Sequence, residues 1–282
     1  MFHFLKSVLR GKPKKSVAVI TPIYRLPLTA EEEISLQHLH HFLGNADKFI
    51  IAPESLELSF PEFQIQRFAD SYFSGIPGYN ELMLAPEFYQ SFADYQHILI
   101  YQLDCLVFSG DLESWCEKNW DYVGAPWFQG YENESSGELW AVGNGGLSLR
   151  NVRRCLKVLG NKARVDLLVR ENIDREVLEK NDAQARLSVK KLLRKHGYGN
   201  DPKWFLDQSI VNEDKFWAFE ARHLLPGFRI PSPEQALAFS FEYDPRICFE
   251  KNGSRLPFGC HAWAKYDADF WKRHLLENVT QP

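Results

Sequence analysis

One carboxylate, Asp104, interrupts a segment of the chain that is otherwise apolar. The run Ile98–Tyr101 precedes it and residues 105–108 resume the apolar pattern. A charge in such surroundings is costly unless it is paired or holds a metal. The run itself is typical of a strand buried on both faces of a sheet, and ligands of open α/β sheets collect where such strands end. We therefore interpret Asp104 as the anchor of a metal and diphosphate site, with a helix N-cap or a buried ion pair as the structural alternative.

Further residues with possible chemistry follow in the second half of the chain. Glu213 and Asp214 are adjacent carboxylates at the start of an aromatic segment. Acidic residues there also complement the dipole of a helix, which is their structural interpretation. Adjacent side chains of a helix point about 100° apart, so only one of the pair can meet a given substrate. His261 lies in a loop rich in glycine and aromatic residues, as a metal ligand or as a satisfied loop histidine.

Two segments could bring their backbone close to a ligand. Asn144 is flanked by glycines and precedes a predicted strand, so Gly145 and Gly146 would permit close approach, although plain turns have the same composition. Residues 21–24 end the first predicted strand, and they could form one wall of a nucleotide pocket or a simple turn.

The elements that must position these residues alternate between strand and helix. Strands are predicted at 17–20, 48–53, 63–68 and 98–101, with a helix after Thr29 and a loop at residues 75–80 that opens a second helix running through Phe92. This alternation predicts a mostly parallel sheet flanked by helices. No GxGxxG motif follows the first strand and no GxxxxGK[ST] motif occurs, which argues against dehydrogenase and P-loop folds.

Composition excludes several classes of protein. The net charge of −4 offers no basic excess for phosphate neutralisation, so no nucleic-acid partner is expected. Five scattered cysteines without a CxxC pair indicate reduced thiols in a cytoplasmic protein. No apolar run approaches the ~18 residues of a membrane span.

The chain is predicted to divide into three parts, the second of which contains an insertion. Residues 1–15 form a basic amphipathic leader, either an in-plane membrane anchor or a frayed end. Residues 16–265 form a single α/β domain of ordinary size. Within it, residues 161–200 are highly charged and predict a helical insertion, either a lid or a plain surface element. Residues 266–282 are a C-terminal tail.

The order of these pieces resembles glycosyltransferases of the GT-A type. The resemblance is carried by residues 101–104, 120–127, 144–150, 212–214 and 258–263, and it spans roughly residues 17–265. It looks closest to a bacterial branch associated with surface polysaccharide synthesis. It implies a GT-A-like α/β catalytic domain that transfers a hexosyl or related sugar from a nucleotide-sugar, expected to be a UDP-sugar, to a hydroxyl of a glycan or glycolipid.

The resemblance also implies roles for individual residues. Asp214 is the expected catalytic base, with Glu213 second, in a single displacement with inversion. Asp104 and His261 are the expected ligands of Mn²⁺ or Mg²⁺. The expected donor-binding residues are Thr21, Pro22, Tyr24, Tyr79, Asn80, Gln102, Asp104, Asn144, Gly145 and Gly146. A cytoplasmic location follows, with peripheral contact to the inner membrane if the leader is an anchor.

One departure from the family pattern affects the metal. The usual Asp-x-Asp motif is here Gln102-x-Asp104, so one carboxylate is offered and the metal could bind weakly or only together with the nucleotide-sugar. Two alternatives stay open: a nucleotidyltransferase or other nucleotide-sugar enzyme, which would release pyrophosphate, and a non-catalytic carbohydrate-binding protein of the same fold.

Overall fold

A computed structural model describes residues 13–130, 137–160 and 212–276. The predicted leader (1–15) is outside these ranges except for its last three residues. The predicted helical insertion (161–200) lies outside them entirely, and the C-terminal tail lies partly outside them. No helix in the described ranges is both long enough and apolar enough to cross a bilayer.

The central sheet is built from the apolar runs that the sequence marks as strands. Its six strands are β1 (Lys15–Pro22), β2 (Asp47–Pro53), β3 (Gln64–Phe68), β4 (Tyr95–Tyr101), β6 (Tyr122–Val123) and β9 (Leu147–Asn151). They lie in the order β3-β2-β1-β4-β9-β6, where β1 to β4 are parallel and β9 is antiparallel to both of its neighbours. The predicted α/β architecture, a mostly parallel sheet flanked by helices, is confirmed, and it is the arrangement that the GT-A resemblance implied.

The described residues also form two smaller sheets. One contains β10 (Ser240–Phe241), β11 (Gly259–Cys260) and β5 (Leu106–Val107), and the other pairs β7 (Pro126–Phe128) with β8 (Leu139–Val142). Because β5 follows β4 closely in sequence, its pairing with β11 brings the segment after β11 beside the end of β4.

Helices pack on both faces of the sheet. They are α1 (Ala30–Leu43), α2 (Ile76–Met83), α3 (Pro86–Ser91), α4 (Leu112–Glu117), α5 (helical residues 152–160), α6 (residues 213–224), α7 (Pro233–Leu237), α8 (Pro245–Lys251) and α9 (Ala268–Lys272). Helix α6 is continuous through α-helical Glu213–Lys215, a π-helical turn at Phe216–Glu220 and α-helical Ala221–Leu224.

Local sequence signals explain where several helices begin. Thr29 caps α1 in a capping box with Glu32, as the sequence predicts. The predicted loop and helix at residues 75–92 are instead two short helices. The first already begins at Ile76, and Pro86 begins the second because proline fits the first turn of a helix but not its interior.

The core lies on both faces of β4. Ile98 and Ile100 pack into one hydrophobic cluster, while Leu99 and Tyr101 pack into the cluster on the opposite face. All four residues are fully buried, which confirms the prediction of a strand covered on both sides. A central strand held in this way gives the residues that follow Tyr101 a rigid support.

Candidate functional site

A cleft of about 580 Å³ opens at the carboxyl edge of the parallel strands. Pro22 ends β1 and Gln102 follows β4, and both line it. The antiparallel strand β9 starts at the same edge, because Leu147 pairs with Tyr101, so Gly145 and Gly146 also reach the cleft. This is the edge at which open α/β sheets bind their ligands.

A cluster around His261 forms one part of the cleft. Its Nε2 lies 3.3 Å from Asp104 Oδ1 and 3.3 Å from Gln102 Oε1, and its Nδ1 lies 3.0 Å from Glu242 Oε1. The β5–β11 pairing makes this contact between residues 104 and 261 possible. Asp104 is thus neither a helix cap nor a fully buried ion pair, since half of its side chain is exposed.

His261 and the Asp104 carboxyl shift each other's pKa so that the charged forms of both are favoured. Burial alone would lower the pKa of His261, but the carboxylates of Asp104 and Glu242 outweigh it and raise that pKa to about 10. Burial likewise favours protonation of Asp104, and the contact with His261 overcomes this and lowers the pKa of the Asp104 carboxyl. The positive charge of His261 is therefore stabilised by the carboxylates of Asp104 and Glu242, which lie on either side of its ring.

A buried ion pair forms a second part of the site. Both side chains of Arg150 and Glu213 are buried, and Arg150 donates from Nη2 to Glu213 Oε1 at 2.8 Å and from Nη1 to Oε2 at 3.0 Å. Arg150 also donates to Ser148 Oγ and to the Tyr89 hydroxyl oxygen. The Asn80 side chain accepts from the backbone N–H of Glu213 at 3.1 Å. Two-point pairing of this kind fixes Glu213 and with it the start of α6.

Asp214, next along the chain, has a different environment. Its side chain is partly buried in the cleft, and its Oδ1 accepts from the backbone N–H of Lys215 at 2.7 Å. Burial raises the pKa of the Asp214 carboxyl to about 7, and the negative charges of Glu213 and Glu242 act in the same direction. At neutral pH this carboxyl divides between its protonated and ionised forms, which suits a group that takes up a proton.

Gly145 and Gly146 lie where two functional side chains need space. A Cβ on Gly145 would collide with Glu213 Oε1, and a Cβ on Gly146 would collide with the imidazole of His261. Asn144 has a left-handed backbone at φ 67°, and its Oδ1 accepts from the N–H of Gly146 at 3.0 Å. The two glycines therefore admit the Glu213 and His261 side chains, a close approach of a different kind from the backbone–ligand contact that the sequence suggested.

Most of the predicted site residues meet in this cleft. Its lining includes Pro22, Tyr24, Tyr79, Asn80, Gln102, Asp104, Gly145, Gly146, Glu213, Asp214 and His261. Thr21 and Asn144 are buried and lie outside the lining, so a direct contact between either side chain and a donor stays a prediction. Asn144 acts on the glycine turn, and its carbonyl oxygen accepts from the Tyr122 hydroxyl at 2.9 Å.

Sequence reasoning missed three charged residues of the site. Arg150 is buried behind the cleft, and Glu242 and Lys265 line it. Glu242 carries a signal that resembles that of Asp104, since it directly follows β10 in a segment rich in aromatic residues. Arg150 also has a detectable signal, because a lone charge inside the strand Leu147–Asn151 requires a buried partner. Lys265 has no comparable pattern around it.

The donor atoms around His261 fit a divalent metal such as Mn²⁺. Asp104, Cys105 and His261 offer ligand atoms within 4.8 Å of one another, but burial raises the pKa of Cys105 well above its usual range and keeps it a thiol. The remaining set is the carboxylate of Asp104, the amide oxygen of Gln102 and the imidazole of His261, which would give up its Nε2 proton on binding Mn²⁺. Glu242 on Nδ1 would orient Nε2 toward the metal in the manner of an outer-shell carboxylate.

Replacing Gly146 with alanine is expected to displace His261 and to weaken Mn²⁺ binding by roughly tenfold, the range found when the orientation of a ligand is disturbed. Calorimetric titration of Mn²⁺ measures this. Gly160→Ala is the matched control, because a Cβ at Gly160 would meet nothing within 4 Å. Equal Mn²⁺ affinity in the Gly146 and Gly160 variants would contradict a role for the His261 position in metal binding.

Comparisons with known proteins were made for sequence and for structure. No curated protein matches the sequence. One similar solved structure is the galactosyltransferase LgtC in complex with donor and acceptor sugar analogues, at 12% identity and a TM-score of 0.48, covering 94% of this chain and 97% of that one. Another is the apo-form glycosyltransferase GlyE of Streptococcus pneumoniae TIGR4, at 13% identity and a TM-score of 0.40, covering 93% of this chain and 60% of that one.

These identities and TM-scores are too low to transfer an activity, so the function has to be argued from the site. The match to a sequence family is stronger evidence of relationship than these two structural similarities. The family described as "Protein of unknown function (DUF5672)" matches residues 62–261, a range that begins before β3 and ends at His261. Because this range is well over half of the 282 residues, the chain belongs to the DUF5672 family.

Proposed function

We propose that this protein is a glycosyltransferase that moves a sugar from a nucleoside-diphosphate-sugar to a hydroxyl group of a glycan or glycolipid. One observation carries the proposal. A single cleft combines a cluster suited to a metal-bound diphosphate, around Asp104 and His261, with a separate carboxyl, Asp214, whose pKa of about 7 suits a general base. Metal-assisted sugar transfer with inversion uses both functions side by side.

The charge of the cleft supports a metal in this reaction. Glu213 is neutralised by Arg150, and the carboxylates of Asp104 and Glu242 face only His261 and Lys265 as cations of the described lining. This part of the cleft is therefore close to neutral and offers little attraction for the charge of a diphosphate. When bound, Mn²⁺ or Mg²⁺ would supply that charge as a Lewis acid on the leaving diphosphate.

In this proposal, residues of the cleft bind the metal, contact the nucleotide and accept the proton of the acceptor. Asp104, His261 and Gln102 would hold the metal, and Tyr24, Tyr79 and Pro22 would contact the nucleotide, for which a UDP-sugar is the expected donor. Asp214 takes the proton of the acceptor hydroxyl while the acceptor oxygen bonds to the anomeric carbon. The bond from that carbon to the diphosphate oxygen breaks, and a nucleoside diphosphate leaves. One displacement inverts the anomeric configuration.

Replacing Asp104 with asparagine is expected to abolish Mn²⁺-dependent nucleotide binding while the protein stays folded, because half of the Asp104 side chain is exposed and His261 keeps its contact with Glu242. His261→Ala should weaken the Mn²⁺ dependence less. Calorimetry of nucleotide binding with and without Mn²⁺ measures both variants, and thermal denaturation checks the fold. Wild-type affinity in Asp104→Asn would remove the metal assignment.

A product assay tests the reaction itself. A panel of nucleotide-sugars is incubated with the protein, with and without Mn²⁺ and simple glycan acceptors, and the released nucleotide is identified. Release of a nucleoside diphosphate together with a new glycosidic bond is the expected result. Release of pyrophosphate would instead indicate a nucleotidyltransferase, and nucleotide-sugar or glycan binding without turnover would indicate a carbohydrate-binding protein. A product that retains the donor configuration would contradict the single displacement.

The cellular role is a further part of this proposal. From the resemblance to GT-A-type glycosyltransferases alone, we propose that the enzyme acts in bacterial surface polysaccharide synthesis in the cytoplasm. Contact with the inner membrane would depend on the basic leader. Deleting residues 1–15 and measuring binding to anionic liposomes would separate an anchor from a frayed end.

A further inference from the structure

A second pocket of about 520 Å³ lies at the opposite end of the sheet from the cleft. We call it the basic pocket and define it by Asp121, Asn151, Arg153, Arg154, Lys157 and Arg229. Asp121 precedes β6 and Asn151 ends the antiparallel β9, so both stand at the amino edge of the parallel strands. A strand of the length of β4 spans roughly 20 Å, so the two sites are separate.

The charges of the basic pocket are unbalanced. Asp121 is its one carboxylate among the lining residues, and this group is already satisfied, because Arg154 Nε donates to it at 2.9 Å and the backbone N–H of Arg229 donates to it at 2.8 Å. Within the described ranges, Arg153 and Lys157 have no ion pair. The Nε of Arg153 is buried and has no hydrogen-bond partner there. An anion beside the Arg153 guanidinium would balance a positive charge that the described residues leave without a counter-charge.

The position of Arg153 and Arg154 on α5 also favours an anion in the basic pocket. Asn151 caps this helix, since its Oδ1 accepts from the backbone N–H of Arg154 at 3.1 Å. Arg153 and Arg154 therefore lie in the first turn, where the helix dipole is positive and cations are unfavourable. Lys157 stands four residues after Arg153 and so shares its face of the helix. Stability alone would favour acidic residues at these positions. An anionic ligand there would be attracted both by the positive end of the helix dipole and by the basic side chains.

We propose that the basic pocket is an anion site that binds a phosphate group through Arg153 and Lys157. The ligand is either the headgroup of an anionic phospholipid or the phosphate of a soluble phosphorylated compound, since both present the same chemistry to these side chains. The site is independent of the catalytic cleft and of the function proposed for it.

The test uses two probes with the full-length protein. Inorganic phosphate is titrated by calorimetry, and vesicles of equal parts phosphatidylglycerol and phosphatidylcholine are tested by co-sedimentation, with pure phosphatidylcholine vesicles as the blank. The double variant Arg153→Gln, Lys157→Gln is expected to weaken binding of at least one probe about tenfold or more, because two charge-assisted contacts are lost. Loss with phosphate assigns a soluble ligand, and loss with vesicles alone assigns a lipid headgroup.

Lys251→Gln, which removes an exposed charge from α8, is the matched control and should leave binding of both probes unchanged. Lys265→Gln removes a charge from the cleft and reports phosphate that binds there instead. If the double variant fails to fold, Lys157→Gln alone tests the proposal, because Lys157 is exposed, and about a threefold loss is expected. Unchanged binding of both probes in the pocket variants, or loss of phosphate binding in Lys265→Gln alone, would overturn the proposal.

Discussion

Replacing Asp214 with asparagine is expected to slow sugar transfer by roughly 10²–10⁴-fold, the range that general base catalysis contributes, while donor affinity stays nearly unchanged. The reason is that the proposed mechanism places Asp214 at the acceptor hydroxyl and the donor diphosphate at Asp104 and His261, which lie in the same cleft. Initial rates over a range of donor concentrations separate kcat from KM. Asp269→Asn is the matched control, because this exposed carboxylate on α9 lies outside the cleft.

The pKa of Asp214 adds a signature in the pH profile of the rate. Because the base must be ionised to accept a proton, the wild-type rate should rise with pH and level off above about pH 7. The residual rate of Asp214→Asn should lack that rise. If the rise persists in the variant, another group is the base. If transfer is not slowed at all, the assignment of Asp214 is wrong.

The same pKa makes stability depend on pH with the opposite sign. The unfolded carboxyl ionises near its ordinary pKa of 3.8 and the folded one near 7, so the folded state retains a proton that the unfolded state loses. Its contribution to the free energy of unfolding is present in full below pH 4 and is lost as the pH rises through 7. For a partly exposed group we expect a loss on the order of 2 kcal/mol. Urea unfolding at about pH 5 and about pH 8 should show this loss in the wild type but not in Asp214→Asn.

The sequence predicts the sheet well because its signals are local. The apolar run at 98–101 and the capping box at Thr29 each depend on a few neighbouring residues, and the structure confirms both. The break between α2 and α3 was missed although Pro86 is visible in the sequence. Apolar spacing continues across that break, and a pattern of spacing alone does not reveal where the backbone turns.

The site is harder to predict because its contacts join distant parts of the chain. Asp104 is recognisable as a charge in apolar surroundings, but its contact with His261 across 157 positions depends on the β5–β11 pairing of strands only two residues long. Such short strands have no sequence pattern of their own. The glycines beside Asn144 were recognised for their freedom of approach, yet the groups that approach them, Glu213 and His261, come from elsewhere in the chain.

The ion pair between Arg150 and Glu213 shows what sequence spacing cannot supply. Spacing predicts that only one of Glu213 and Asp214 faces the acceptor, without saying which. In the structure, Glu213 is turned to Arg150 and is held by two hydrogen bonds, which leaves Asp214 in the cleft. This geometry favours Asp214 as the base and gives Glu213 the role of a positioning residue, although Glu213 as a base stays a prediction until it is tested.

Replacing Glu213 with glutamine is expected to destabilise the protein by about 3–5 kcal/mol, because it leaves the buried charge of Arg150 without its counter-charge. Arg150→Met should also destabilise, since it leaves the Glu213 carboxylate buried and unpaired. The double variant should cost clearly less than the sum of the two single changes, because no unpaired charge remains. Urea unfolding of the four proteins gives this coupling directly. Asp269→Asn, which breaks an exposed ion pair with Lys272, should cost at most about 1 kcal/mol.

Kinetics of the same variants then distinguish positioning from catalysis. If Glu213 only positions α6, Glu213→Gln should slow transfer less than Asp214→Asn does, and the pH profile should keep its rise toward pH 7 because Asp214 is still present. If Glu213→Gln instead has wild-type stability, slows transfer more than Asp214→Asn and loses the rise, then Glu213 is the base and the two roles are exchanged. Stability and pH profile together therefore decide which carboxylate takes the proton.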